Sequence, residues 1–224
     1  TLFLAIVGLS VVMTVSIFQI TPGYTDADYY FTTGLRIANG DGLTVPYLWN
    51  YLADFPHVTH PSHAYWMPLV SFISALGIFS FGGDPFTAAK IPFLIIGMFI
   101  PPLTAQLSYR ISNNKRNAMA AGLLACFPVF YLSYLPVTDS FALYMVLGAC
   151  FFIIIQESSQ WDWAPVLLGI VAGAMHLTRS EGFLWLILGL LGLLLERNRW
   201  KDVSLMLIGY SVIFGPWVVR NLIE

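Results

Sequence analysis

Two aspartates, Asp26 and Asp28, stand two positions apart in YTDADYYFTTGLRIANGDG, residues 24–42, directly after an uncharged and mostly apolar run. A carboxylate held at a membrane edge is suitably placed to act as a general base on an incoming hydroxyl. The same pair would also favour the positive end of a helix, an effect of ~0.3 to 1 kcal/mol each. Further along, YLPVTDSF carries Asp139, LTRSEGF carries Arg179 and Glu181, and GPWVVRN carries Arg220. A guanidinium presents a planar fork of donors suited to a phosphate, and lipid phosphates lie at the depth where these segments fall. Arginines at such positions also anchor helix ends to headgroups, and that reading stays beside the first.

His57, His60 and His63 follow one another at three-residue intervals in HVTHPSHAYW. Imidazoles at that spacing are potential metal ligands, but Pro61 breaks any continuous helix that would align them, which favours hydrogen-bonding or substrate contacts. His176 lies in an apolar run and reads as a satisfied core residue.

The elements that must position these groups are membrane helices. Of 224 residues 58% are hydrophobic and 10% charged, with a mean hydropathy of +0.75, far from soluble domains, where about a quarter are charged. The runs are helix-length, so helices rather than a barrel satisfy the backbone in lipid. Apolar runs occupy approximately 1–20, 68–82, 90–109, 117–135, 140–155, 164–178, 183–195 and 203–219. The net charge of −2 is spread over separate loops, and no basic stripe suggests nucleic acid. Cys126 and Cys150 fall inside apolar runs and read as small buried hydrophobes.

Positive charge sets the orientation. Arg110, Lys115 and Arg116 form one basic loop, and Arg197, Arg199 and Lys201 another, so both are expected in the cytoplasm. If 68–82 lies flat at the interface, seven spans result, with a cytoplasmic N-terminus. The outer side then collects Asp26, Asp28, Asp41, Asp54, Asp84, Asp139, Glu181 and Glu224. The acidic QESSQWDW falls inside, which the rule tolerates without supporting. The runs 164–178 and 183–195 are short and suggest a thinned or partly re-entrant pair.

Residues 21–89 are then one exterior loop within a single module covering 1–224. Its first helix is expected over Asp26 to about Asn39, with Thr25 as N-cap, Asp28 completing a capping box and Gly40 closing it. Tyr65 and Trp66 precede the interfacial helix at aromatic-belt depth. Ionisable groups from four separated segments thus fall on one face, and no Asp, Glu, Lys or Arg falls in the middle of a span. That pattern argues for an outward-facing surface site and against an ion path or a flippase.

Taken in order, GYTDADYYFTTGLRIANGDGLTVPYLWNY, HPSHAYWMPL, TDSFALY, HLTRSEGFLWL and GPWVVRN resemble bacterial membrane glycosyltransferases of the GT-C superfamily, in the protein O-mannosyltransferase and aminoarabinose-transferase branch. Asp26, Tyr30, Gly40 and Gly42 match the acidic first loop, with Ala27 where a second acid is usual and Asp28 one position later. His60 and His63 fall in the family's His-Pro element, Ser180 replaces a proline beside Arg179, and Thr138–Asp139 matches its Thr-Asp.

The resemblance implies an all-α bundle with two interfacial helices, moving a sugar from a polyprenyl-phosphate carrier to an acceptor with inversion. Asp26 or Asp28 would be the base, and Arg179 with Arg220 would hold the lipid phosphate. Asp139 would orient the acceptor or hold a divalent ion, while Tyr30, His60, His63 and Glu181 would contact substrate. The site would face the periplasmic side of the inner membrane. Members are about twice this length, implying the N-terminal part of a longer protein. An inactive member, serving as scaffold for other membrane subunits, is the competing expectation.

Overall fold

The computed structural model of the protein describes residues 1–48, 58–64, 66–158, 161–196 and 200–223. Asp54, His57, Tyr65, Arg197, Arg199 and Glu224, which entered the sequence reading, lie outside the described residues. In chain order come α1 (Leu2–Ile17), α2 (Thr25–Ala38), β1 (Thr44–Val45), β2 (His60–Pro61), α3 (Leu69–Phe81), α4 (Pro85–Gly97) and α5 (Ile100–Ser112). Then follow α6 (Lys115–Ala125), α7 (Ser140–Glu157), α8 (Ala164–Thr178), a 3₁₀ turn (Ser180–Gly182), α9 (Phe183–Glu196) and α10 (Trp200–Ile223). Among the described residues the fold is all-α but for the two-residue antiparallel bridge of β1 with β2, which pairs Thr44 with Pro61 and Val45 with His60.

Among the described residues, three lengths of helix are long and apolar enough to cross a membrane: Pro85–Ser112, Ser140–Glu157 and Trp200–Ile223. Shorter apolar helices cover Leu2–Ile17, Leu69–Phe81, Ala164–Thr178 and Ser180–Leu195. Large apolar side chains stand exposed on several of them, among them Ile6, Phe79, Ile187 and Val212, as hydrocarbon rather than water would allow. The protein is a multi-pass membrane protein.

Boundaries depart from expectation where proline or a side chain intervenes. The run 117–135 is helical only over Lys115–Ala125, because Pro128 has no N–H to continue the ladder; turns carry the chain to Asp139. The run 90–109 begins earlier, at Pro85, with Asp84 as a side-chain cap accepting from the Thr87 N–H at 2.8 Å. It breaks between α4 and α5, where Pro101 and Pro102 cannot donate to the preceding turn. The expected Thr25 cap and capping box are not formed. Thr25 is already helical, Tyr24 holds the cap position in extended backbone, and its hydroxyl is engaged elsewhere. Asp26 and Asp28 remain in the first turn of α2, and Gly40, with φ of 86°, closes the helix as the sequence suggested.

Small residues set the closest packing. A Cβ on Gly169 of α8 would lie 2.0 Å from the Met206 carbonyl oxygen of α10, and one on Gly209 would lie 2.3 Å from the Val166 carbonyl oxygen. Gly169 and Gly173, four apart, thus form the small-residue face that lets two membrane helices touch backbone to backbone. Gly34 of α2 meets Ser74 and Ser71 of α3 in the same manner. Within the acidic QESSQWDW segment, Glu157 at the end of α7 pairs with Arg110 of α5 at 2.5 Å, so the acid has a basic partner at the same end of the bundle.

Candidate active site

At the opposite end from that ion pair, three separated segments line one cleft of about 220 Å³: Asp26 and Tyr30 from α2, Trp66 and Met67 ahead of α3, and Arg179, Ser180 and Glu181 between α8 and α9. The α2 residues arrive together because positions four apart share a helix face. Asp28, two positions from Asp26, points away from the cleft lining and is exposed, with Tyr47 in electrostatic reach.

Arg179 follows the last residue of α8, where its extended backbone turns the chain back. Its Nε donates to Glu181 Oε1 at 2.7 Å, its Nη2 lies 2.7 Å from the same oxygen, and its Nη1 donates to Ser140 Oγ at 3.2 Å. The turn is tight because a Cβ on Gly182 would lie 2.4 Å from the His176 backbone. Arg179 and Glu181 are both partly open to solvent, so an incoming anion has access to the fork.

Behind the cleft runs a chain of hydrogen bonds. The Tyr24 hydroxyl donates to Asp139 Oδ2, while Asp139 Oδ1 accepts from the Ser140 N–H and from Ser140 Oγ. Asp139 therefore caps α7 and, through Ser140, reaches Arg179. Next to it the Thr138 hydroxyl donates to the Ala27 carbonyl at 2.8 Å, tying α2 to the start of α7. Burial pushes the Asp139 carboxyl above its ordinary value; the donors Tyr24 and Ser140 oppose that, and the charge of Asp26 adds to it. Tyr30 is pushed well above its ordinary value, first by burial and then by Asp139 and Asp26, against Arg179. Its phenol therefore keeps its proton at neutral pH, within reach of two carboxylates and a guanidinium.

Other expected site residues lie outside the cleft lining. His60 is buried, with Nδ1 2.9 Å from the Pro61 carbonyl and Nε2 3.0 Å from the Tyr47 carbonyl. His63, at φ of 62°, has Nδ1 2.8 Å from Ser62 Oγ and Nε2 3.0 Å from Ser71 Oγ, and its N–H donates to the Tyr29 hydroxyl. Burial, with the Arg220 charge second, lowers its pKa to about 3. Arg220 sits 4.8 Å over the Trp217 ring, within electrostatic reach of His63 and Tyr29. Among the described residues, no three His, Cys, Asp or Glu side chains gather as a metal-ligating group. Cys126 and Cys150 are free thiols. His176 is half-buried, its Nδ1 meeting the Tyr210 hydroxyl and its ring stacked 3.9 Å from Phe214.

Sequence reasoning did not single out Tyr24, Ser140 or Met67, and Ser180 entered it only as the replacement for a proline beside Arg179. Ser140 carried a signal, since it follows Thr138–Asp139 as the first residue of a predicted span. Tyr24 carried none, because nothing local indicates a partner 115 residues away.

The sequence model of the family described as dolichyl-phosphate-mannose-protein mannosyltransferase matches residues 59–219. No curated protein and no solved structure matches the chain. The matched region includes Asp139, Ser140, Arg179 and Glu181; Asp26 and Tyr30, which line the cleft, and Tyr24, which bonds Asp139 behind it, precede the matched region. With well over half its length matched and its helices arranged as a membrane bundle, the chain belongs to this family of GT-C membrane glycosyltransferases, which use lipid-linked sugar donors.

Proposed function

We propose that the protein transfers a sugar from a polyprenyl-phosphate carrier to an acceptor hydroxyl or amine, with inversion, on the non-cytoplasmic face of the cell membrane. Asp26 is the general base and Arg179 the phosphate ligand. The observation that carries this reading is that Asp26 and Arg179 line one cleft, with Tyr30 between them in electrostatic contact with both.

The acceptor's nucleophile attacks the anomeric carbon from the face opposite the phosphate. Its proton passes to the Asp26 carboxylate as the new glycosidic bond forms. The bond from the anomeric carbon to the phosphate oxygen breaks at the same time, and the electron pair leaves with the lipid phosphate. Arg179 meets the charge that develops there, where a preoriented donor stabilises the transition state more than the ground state. Asp139 acts at one remove: its oxygens are taken by Tyr24 and Ser140, and Ser140 steadies Arg179. Asp26 is preferred to Asp28 because only Asp26 lines the cleft. Arg220 then belongs to the aromatic wall beside Trp217 rather than to the phosphate.

The test is transfer by the full-length protein in bilayers from a labelled polyprenyl-phosphate sugar. Asp26→Asn is expected to lower kcat by about 10²-fold or more, in keeping with general-base catalysis, and Asp28→Asn to leave it within a few-fold. Equal losses in both would remove the assignment of the base. No transfer from any donor would identify a non-catalytic member of the fold.

A further inference from the structure

One buried charge has no part in the reaction scheme. Lys90 of α4 is 5% exposed. Its ammonium donates to the Ser16 carbonyl at 3.0 Å and to the Gln19 carbonyl at 2.7 Å, where α1 ends, and lies 4.9 Å from the Phe86 ring centre. An ammonium carries three donors, and among the described residues Lys90 forms no ion pair. The negative end of the α1 dipole offsets part of the cost of burying that charge, and an anion at the third donor would offset more.

Lys90 lines a concavity of about 470 Å³ between α1 and α4. Helical spacing builds both walls: Thr87, Lys90 and Leu94 fall three and four apart on α4, and Met13 shares one face of α1 with Ser16 and Ile17. Polarity is graded along this groove. Asp84 caps α4 at the rim, at the end of the bundle where Phe86 packs against Ala27 and Val137 beside the cleft. Lys90 lies six residues deeper, about 9 Å at 1.5 Å per residue. Beyond it Leu94 and Met13 continue the walls into hydrocarbon, to which Met13 and Ile17 are exposed.

From the surface inward the order is therefore carboxylate, ammonium, apolar wall. Asp84 is exposed and takes both of its bonds from Thr87 on Oδ2, at 2.8 Å from the N–H and 2.7 Å from the hydroxyl, which leaves Oδ1 for an outside donor. On the facing wall Gln19 Oε1 is buried with no hydrogen-bond partner among the described residues, a second acceptor without a donor. A zwitterionic phospholipid presents the complement: ammonium outermost, phosphate beneath it, acyl chains below. A primary ammonium can donate to these acceptors, and a quaternary one, having no N–H, cannot. A headgroup with phosphate alone would leave Asp84 unanswered.

We propose that the groove between α1 and α4 binds one zwitterionic phospholipid whose headgroup ends in a primary ammonium, with its phosphate on Lys90 and its ammonium on Asp84. Inside a bilayer the acyl chains gain nothing by entering, because the surrounding lipid is equally apolar. Selection therefore rests on the headgroup. The site lies apart from the Arg179 cleft, and its occupancy is independent of sugar transfer.

The experiment uses the full-length protein in discs of phosphatidylcholine, with part of the lipid replaced by phosphatidylethanolamine or phosphatidylglycerol of the same acyl chains. Native mass spectrometry after release from the discs counts retained lipid, and melting curves report stabilisation. Phosphatidylethanolamine should be retained over phosphatidylcholine by roughly three- to tenfold, as an exposed ion pair with charge-assisted hydrogen bonds allows, and should raise the melting temperature. Lys90→Met would also uncap α1, so Asp84→Asn is the deciding variant: asparagine keeps the cap of α4 without the charge, and the preference should fall to about twofold or less. Asp162→Asn, exposed just ahead of α8 at the Glu157 end of the bundle, should leave it intact. Equal retention of the two zwitterionic lipids, a preference that survives Asp84→Asn, or stronger retention of phosphatidylglycerol overturns the proposal. So does competition by soluble phosphoethanolamine as effective as the lipid itself, which would mark a site for a free phosphate ester.

Discussion

Tyr24 donates its hydroxyl proton to Asp139 across 115 residues of sequence, joining the residue ahead of α2 to the cap of α7. Asp139 passes the restraint to Ser140, and Ser140 to Arg179. A segment that precedes the matched family region is thereby hydrogen-bonded into the same network as the candidate phosphate ligand.

Tyr24→Phe removes one donor to a buried carboxylate and leaves the ring packed edge-on against Tyr134. A stability loss of about 1–3 kcal/mol is expected, the cost of an unsatisfied buried acceptor. Denaturation in detergent checks it, and unchanged stability would show that the bond carries no weight. The double variant Tyr24→Phe/Asp139→Asn should cost less in total than the sum of the two single changes, since the partners share one interaction.

Arg179→Lys keeps the charge but loses the planar fork that now meets Glu181 and Ser140. Steady-state kinetics with the lipid-linked donor should show kcat/KM falling by about tenfold or more, as expected for a lost charge-assisted bidentate contact. Glu181→Gln should change stability by less than ~1 kcal/mol, because the pair is partly open to solvent. An Arg179→Lys enzyme with native kinetics would reject the phosphate assignment.

The depressed pKa of His63 predicts a pH dependence of stability. Between its ordinary 6.5 and its folded value of about 3, the unfolded chain binds a proton that the folded protein refuses. Stability from neutral His63 is complete above pH 6.5 and is lost as pH falls toward 3, by up to about 1.4 kcal/mol per unit. Asp139 works in the opposite sense: burial raises its folded pKa, so its contribution is lost as pH rises through that value. His63→Asn, which suits the positive φ, isolates the first effect. Melting curves from about pH 7 to about pH 4 should fall more steeply for the unaltered protein than for His63→Asn, and parallel curves would contradict the burial argument.

Gly169→Ala places a methyl group where the Met206 carbonyl oxygen now lies. Forced separation of α8 and α10 should destabilise the protein by about 1–3 kcal/mol or more, measurable as a lower melting temperature. Gly148→Ala, whose new methyl would stand 3.5 Å from Trp185, should cost far less.

The helical membrane class and the position of most spans were legible in the sequence because apolar runs of helix length have few alternatives in lipid. Asp26, Arg179 and Glu181 were legible as groups on one face because charge sorted them there, whereas Tyr30, which shares their cleft, entered only through the family resemblance. Helix boundaries were less legible: Pro128 and the Pro101–Pro102 pair cut apolar runs that hydropathy alone reads as continuous. The Thr25 cap failed because the helix begins one residue earlier than expected, with Thr25 already helical and Tyr24 in the cap position. His60 and His63 read as hydrogen-bonding or substrate-contact residues in a polar exterior loop, and nothing there indicated that they would be buried. Their burial depends on packing against Tyr29, Ser71 and Trp217, which local sequence does not encode.

The glycine contacts of α8 have a mechanical corollary. Gly182 presses the turn carrying Arg179 onto the end of α8, and Gly169 and Gly209 bring α8 into backbone contact with α10, whose last turn bears Arg220. The two guanidiniums therefore ride on a single stiff unit, and a displacement that tilts α10 must carry Arg179 with it.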